Sequence, residues 1–281
     1  MLAKLPTEIL FEIVSYLPCQ ELAKLRQVSR MLRTFSDRPN HWRAIQLHHG
    51  EHKSGQLWKL DQLKSIIAPH LDHIQSIRIW GVRDNIVHYI LSSCPNLRHL
   101  TICGWTTLSD HSLRLLPPRS LKLKTLVLIG SSEQTKFASI DASTLSNLLA
   151  QCPEMTNLVL GCELQMNAET LVAELENKVQ SAHLLRSGGL QSLTFATKRT
   201  WLNEHVLRLI KIYPSIQNIC LLPDATIGFR ADKDKADYWM SNKLKQLINT
   251  DSTTPTPVND HSPISLISNN NFIVYSKSWT A

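Results

Sequence analysis

Apolar residues follow two different rhythms along this chain, and the rhythm changes near residue 72. Before that point the period is helical. Ile9, Leu10, Ile13, Val14 and Leu17 fall at i, i+1, i+4, i+5 and i+8, one face of a helix. Pro6 occupies its first turn, Glu8 suits its N-terminus, and Pro18 ends it. A second helix is predicted through residues 19–32, with Leu22, Leu25, Val28 and Leu32 on one face, and a short third element ends near Trp42. Three short helices in about forty-five residues bury little apolar surface by themselves. A partner covering what they leave exposed would steady them.

After residue 72 an apolar-x-x-apolar-x-apolar pattern recurs. Its first positions are Ile74, Leu97, Leu123, Met155, Leu190 and Ile216, separated by 23, 26, 32, 35 and 26 residues. The later positions keep register: Ile77 and Ile79, Leu100 and Ile102, Leu126 and Leu128, Leu158 and Leu160, Leu193 and Phe195, Ile219 and Leu221. Alternation at the end of each unit predicts a short strand, and helical stretches lie between the strands. Three of these helices end alike, in SCPNL, QCPEM and IYPSI, where proline stops the helix and turns the chain into the strand. Leu57, Trp58, Leu60, Leu63, Ile66 and Ile67 predict a helix capping the first unit. Beyond 222, Tyr238, Trp239, Leu244 and Leu247 suggest a closing helix, and the Ser, Thr and Pro of residues 250–263 suggest disorder. A doubly wound α/β sheet would alternate in the same way. Its nucleotide-binding version needs a Gly-rich turn, and the chain has nine glycines with neither GxGxxG nor GxxxxGK[ST].

Residues 5–42 resemble the F-box. The match rests on Leu5-Pro6, Glu8-Ile9-Leu10, Ile13, Leu17-Pro18, Leu22, Leu25, Val28-Ser29-Arg30, Pro39 and Trp42, in order and spacing. Leu32 stands where that family often carries an aromatic residue. The resemblance implies binding to the Skp-type adaptor of cullin-based SCF ubiquitin ligases. It also implies that Leu5, Pro6, Ile9, Leu10, Ile13, Leu17, Leu22 and Leu25 form or support the contact. The pattern alone does not divide these residues between that contact and the packing of the three helices, and it also describes a plain three-helix cap. Residues 72–222 resemble the irregular, cysteine-containing leucine-rich repeats of many F-box proteins, in which stacked units share one core. The expected architecture is therefore α/β. A three-helix F-box (1–47) precedes a linker and capping helix (48–71), a curved leucine-rich-repeat solenoid of about six strand–helix units (72–249) and a disordered tail (250–281).

Composition narrows the function. Hydrophobic residues make up 43% of the 281, enough for a core, yet no apolar run reaches the ~18 residues that cross a bilayer. Glu8 and Glu12 interrupt the N-terminal apolar stretch and no small-residue cleavage site follows it, so no signal peptide is expected and the cytoplasm or nucleus is. Cysteines 19, 94, 103, 152, 162 and 220 form no CxxC pair and are expected as reduced packing residues. His48, His49 and His52 cluster without a Cys or Asp to complete a zinc set, and neither metal nor cofactor is expected. The +7 net charge permits acidic partners, but the cations form no run of five, so nucleic acid is not an expected partner. No nucleophile elbow or HExxH motif is present, and the chain is not expected to be an enzyme.

The resemblance implies a substrate-recognition adaptor. It would link a Skp-type adaptor, and through it a cullin, to an unknown protein target, and so supply proximity rather than chemistry. A ligase-independent repeat scaffold is the alternative. Target contacts are expected at outward strand positions and just beyond the strands: Arg78, Trp80, Thr101, Trp105, Val127, Thr194 and Lys198. Trp80 and Trp105 read as matching repeat positions, and exposed Trp is a common hot spot. Burial between repeats is the competing reading for both.

Overall fold

The computed structural model describes residues 6–48, 57–107, 109–114, 116, 121–130, 140–164, 166–181, 189–197, 201–222, 264–269 and 272–277. It opens with α1 (Thr7–Ser15), α2 (Cys19–Leu25), α3 (Arg30–Ser36) and α4 (Pro39–Trp42). The single helix expected over residues 19–32 is thus two. Ser29 makes the break: its backbone is extended and its side chain accepts the Leu32 N–H at 3.2 Å, the usual signal for a new helix start. An Arg26–Asp37 ion pair at 2.9 Å ties the far end of α3 back to the end of α2. Leu10, Val14, Leu22, Ala23, Leu32 and Phe35 are buried within this bundle.

Seven parallel strands follow in sequence order: β1 (Ala44–Leu47), β2 (Ser76–Val82), β3 (His99–Trp105), β4 (Thr125–Gly130), β5 (Asn157–Leu164), β6 (Ser192–Thr197) and β7 (Asn218–Leu222). Between them run α5 (Leu60–Ile67), α6 (Asp84–Ser93), α7 (His111–Arg114), α8 (Ala142–Gln151), α9 (Ala168–Ser181) and α10 (Asn203–Ile212). Crossovers between adjacent parallel strands keep one hand, so the helices fall on one face. Each of α5 to α10 accordingly touches the next. A doubly wound sheet would reverse its strand order partway; these strands do not.

The repeat pattern is what registers the sheet. Ile77, Leu100, Leu126, Leu158, Leu193 and Ile219 stand opposite one another on successive strands, and so do Ile79, Ile102, Leu128, Leu160, Phe195 and Leu221. All twelve are buried, as are the leading residues Ile74, Leu97, Leu123, Met155, Leu190 and Ile216. Full burial of one such side chain contributes ~1.5–3 kcal/mol, so these columns dominate the core. A backbone ladder locks the same register. The carbonyls of Arg43, Gln75, Arg98, Lys124, Thr156 and Gln191 each accept two N–H groups from the following unit. Cys94, Cys152 and Tyr213 end their helices in non-helical conformations at 2–3% exposure, as residues before Pro95, Pro153 and Pro214 must.

Three features depart from expectation. First, the sheet begins at Ala44, inside the stretch assigned to the N-terminal module. Trp42, Ile45 and Leu47 repeat the apolar spacing of the later units, and Ile45 and Leu47 pair with Ile77 and Ile79. Trp42 therefore closes the helical bundle and leads the first strand unit. It is fully buried, donates Nε1–H to the Ser36 carbonyl at 2.7 Å, and stacks on His70 at 3.7 Å. Second, both faces of the sheet are covered beyond β3. Val127, Ile129, Val159, Thr194 and Cys220 alternate with the core columns yet are buried too. Third, Ile264–Asn269 (β8) and Phe272–Lys277 (β9) are strands within the tail expected to be disordered, and β9 pairs antiparallel with β7. The proposed closing helix and residues 250–263 lie outside the described residues.

Candidate functional site

Two surfaces carry the residues singled out from the sequence. The first is on the N-terminal bundle. Helix α1 has apolar residues on more than half its circumference, so one face packs and the other stays out. Leu10 and Val14 pack at 3% and 1% exposure. Ile9, Ile13 and Tyr16, at i, i+4 and i+7, remain 45%, 43% and 79% exposed. Pro6 is exposed at the start of the same helix, and Val28 and Met31 are exposed before and within α3. Five of the seven exposed large apolar side chains among the described residues lie in residues 9–31, so this is where the molecule is left apolar.

The eight expected adaptor residues thus separate. Pro6, Ile9 and Ile13 face outward, while Leu10 and Leu22 are buried and hold the helices together. Leu17 and Leu25 are half-buried against the core. Leu5 lies outside the described residues. Tyr16 and Met31 were missed as surface residues. The i+7 spacing of Tyr16 from Ile9 was a readable signal for the first, whereas Met31 depended on where α3 begins.

A pocket of about 400 Å³ separates the α1–α2 turn, α4 and the outer edge of β1. The Cys19 thiol donates to the Gln46 carbonyl at 3.3 Å and Gln20 Nε2 donates to the His48 carbonyl at 2.8 Å, so α2 covers part of that open strand edge. Burial pushes the Cys19 thiol up to about 11, so it is protonated at neutral pH and is a poor nucleophile.

The second surface is the sheet face away from the helices. Over β1, β2 and the start of β3 it is accessible: Gln46 is exposed, and Arg78, Thr101 and Trp80 are half-buried, whereas Cys103 beside Trp80 is fully buried. The Arg78 guanidinium lies 5.1 Å from the Trp80 ring centroid, and the ring of His48, just past the end of β1, lies 6.2 Å from it. Trp80 and Trp105 do not occupy matching positions. Trp80 pairs with Cys103, and Trp105 pairs with Val82 and Gly130. Trp105 is fully buried and donates Nε1–H to Asp84 Oδ1 at 2.7 Å, which makes it a packing residue. Thr194 and Val127 are buried as well, because the second face is covered there. Lys198 lies outside the described residues.

Gly81 and Gly104 explain how β2 and β3 turn after this face. They occupy equivalent positions at φ 70° and 67°, and a Cβ on Gly104 would lie 3.4 Å from the Gly81 nitrogen. His48 is the only member of the histidine cluster among the described residues, and no group of three potential metal ligands occurs among them. No helix among the described residues is long and apolar enough to cross a membrane.

Residues 2–48 match the F-box-like domain family. No curated protein matches the chain. The match ends one residue past β1, so the matched segment includes the first strand of the sheet.

Proposed function

We propose that this chain is a non-catalytic substrate receptor of an SCF-type ubiquitin ligase, its N-terminal domain holding a Skp-type adaptor and its repeat sheet holding the target. The F-box-like domain suggests an SCF-type adaptor role in general, and such domains bind Skp1-type adaptors. The observation that carries the fuller reading is the outward row of Ile9, Ile13 and Tyr16 beside Val28 and Met31, in a bundle whose own core is already filled by Leu10, Val14, Leu22 and Leu32. The chain has nothing among the described residues to place over that row. Leucine-rich-repeat architecture for the sheet is supported by its sequential parallel order and by its two apolar columns. A cullin would be reached through the adaptor, and the cytoplasm or nucleus is where such a ligase would work.

The test is the double substitution Ile9→Ala with Ile13→Ala in the full chain. A little over half of each side chain is already covered, so complex formation would bury the remainder, ~1.5–3 kcal/mol for the pair. Affinity for a purified Skp-type adaptor should therefore fall roughly ten- to a hundredfold. Circular dichroism of the free chain should barely change. Unchanged affinity in a folded variant would remove the adaptor reading, and adaptor binding without cullin recruitment would favour the ligase-independent scaffold.

A further inference from the structure

Strands β1–β4 and the residue preceding each of them contain no acidic residue. Their charged side chains are Arg43, Arg78, Arg98 and Lys124, all basic. The carbonyl ladder sets Arg43, Gln75, Arg98 and Lys124 on successive rungs, so three of the four cations form a row along the rim of the sheet. Arg78 lies three residues into β2 from the Gln75 rung, between Gln46 and Thr101 on the accessible face. Strands lie ~4.8 Å apart, so the row spans ~14 Å, the length of about five extended residues. Arg43 and Arg98 are exposed. Lys124 approaches Glu154 only at 3.9 Å, with both side chains about half exposed, a contact that neutralises little. His99, beside the row, senses it: burial, then the charges of Lys124 and Arg98, hold its imidazole below the ordinary histidine value. The face is covered from β4 on, and beyond β4 the corresponding rim residues Thr156, Gln191 and Gln217 are neutral.

We propose that this face binds an acidic segment of the target protein, carboxylate-rich or phosphorylated, laid across β1–β3 and reaching the Lys124 rim. The inference rests on the receptor reading above and adds the chemistry of what is received. The exposed Arg43 and Arg98, with the half-exposed Lys124 beside them, suit a short acidic peptide. The half-buried Trp80 under Arg78 supplies an apolar surface for the peptide's backbone and neutral side chains.

The experiment uses the full chain and four fluorescent probes: a short Glu-rich peptide, its Gln counterpart, a phosphoserine peptide of equal length and a short DNA duplex. The acidic peptides should bind at least about tenfold more tightly than the Gln peptide, and the advantage should shrink as salt rises. The tighter of the two acidic probes identifies the source of the anionic oxygens. Arg78→Glu with Arg98→Glu should abolish the preference, and Lys211→Glu on the distant α10 should leave it. If the buried part of Arg78 makes the first variant misfold by circular dichroism, Arg98→Gln with Lys124→Gln on the exposed rim should still reduce binding. Equal binding of the Glu and Gln peptides overturns the proposal, as does equal loss in Lys211→Glu. Tighter binding of the duplex than of either peptide, with the same residue dependence, also overturns it in favour of nucleic acid. Adaptor affinity measured on the same variants separates the readings: it should be unchanged here, and its absence in the wild type would count against the F-box reading alone.

Discussion

Acidification should loosen the joint between the N-terminal bundle and the sheet, and His70 should be the cause. Its side chain is 2% exposed and its ring lies flat on Trp42, with an interplanar angle of 13°. Burial lowers its pKa from 6.5 to about 4. Asp37 Oδ1, 3.6 Å from Nε2, favours the charged form, but Arg26 holds the same oxygen at 2.9 Å and, with His73, opposes it. Above pH 6.5 the imidazole is neutral in both folded and unfolded chains and contributes nothing to the pH dependence. Between pH 6.5 and 4 the unfolded chain takes up a proton that the folded chain refuses, so stability is lost as pH falls. The full difference is about 3 kcal/mol, of which about 2 kcal/mol is lost by pH 5. Urea unfolding at pH 7 and pH 5, followed by tryptophan fluorescence, measures it. His70→Phe keeps a ring on Trp42 and removes the titration, so its loss between the two pH values should be smaller by about 2 kcal/mol. Equal losses in the two proteins would refute the reasoning, since every other group titrates in both.

Trp105→Phe removes the donor to Asp84, and a hydrogen bond to a charged group is worth ~1.5–3 kcal/mol. The melting temperature should fall while binding of the acidic probe is retained, and loss of probe binding without destabilisation would return Trp105 to the target surface. Cys152 and Cys220 are buried thiols pushed up to about 12, so a thiol-alkylating reagent at neutral pH should leave both unmodified until denaturant is added. Rapid modification in the native chain would mean that the core around them opens.

Much of this protein was legible before folding because its repeats are local. The apolar-x-x-apolar-x-apolar spacing states which residues share a column, since alternation on a strand is a property of the backbone. Proline after Cys94, Cys152 and Tyr213 ends a helix wherever it occurs. The covered second face was also written in the sequence. Leu126–Ile129 and Leu158–Leu160 are continuous apolar runs, the mark of strands buried on both sides, whereas β2 interleaves Ser76 and Arg78 with its core residues. Reading only the core positions of each unit hid that contrast, and Thr194 and Val127 were assigned to a surface they do not reach.

Periodicity determined which residues of the bundle are apolar; only the tertiary arrangement decided which of them face out. Ile9 and Leu10 are adjacent, similar in size and both on the apolar side of α1, yet one is half exposed and the other buried. The difference lies in where α3 crosses, and that depends on the Ser29 break and the Arg26–Asp37 tie. Trp80 and Trp105 differ for a similar reason. Each follows an apolar strand position closely, but Trp105 stands two positions beyond Cys103, the partner of Trp80, past Gly104 at φ 67°, and there Asp84 receives its indole N–H. Trp42 shows the limit of reading by segments: its own sequence neighbours place it at the end of one module, and pairing with β2, thirty residues on, makes it the start of the next. Spacing along the chain specifies columns and faces, because those are set by bond geometry. Which face meets solvent is a contest between distant elements for the same apolar surface, and only the assembled fold resolves it.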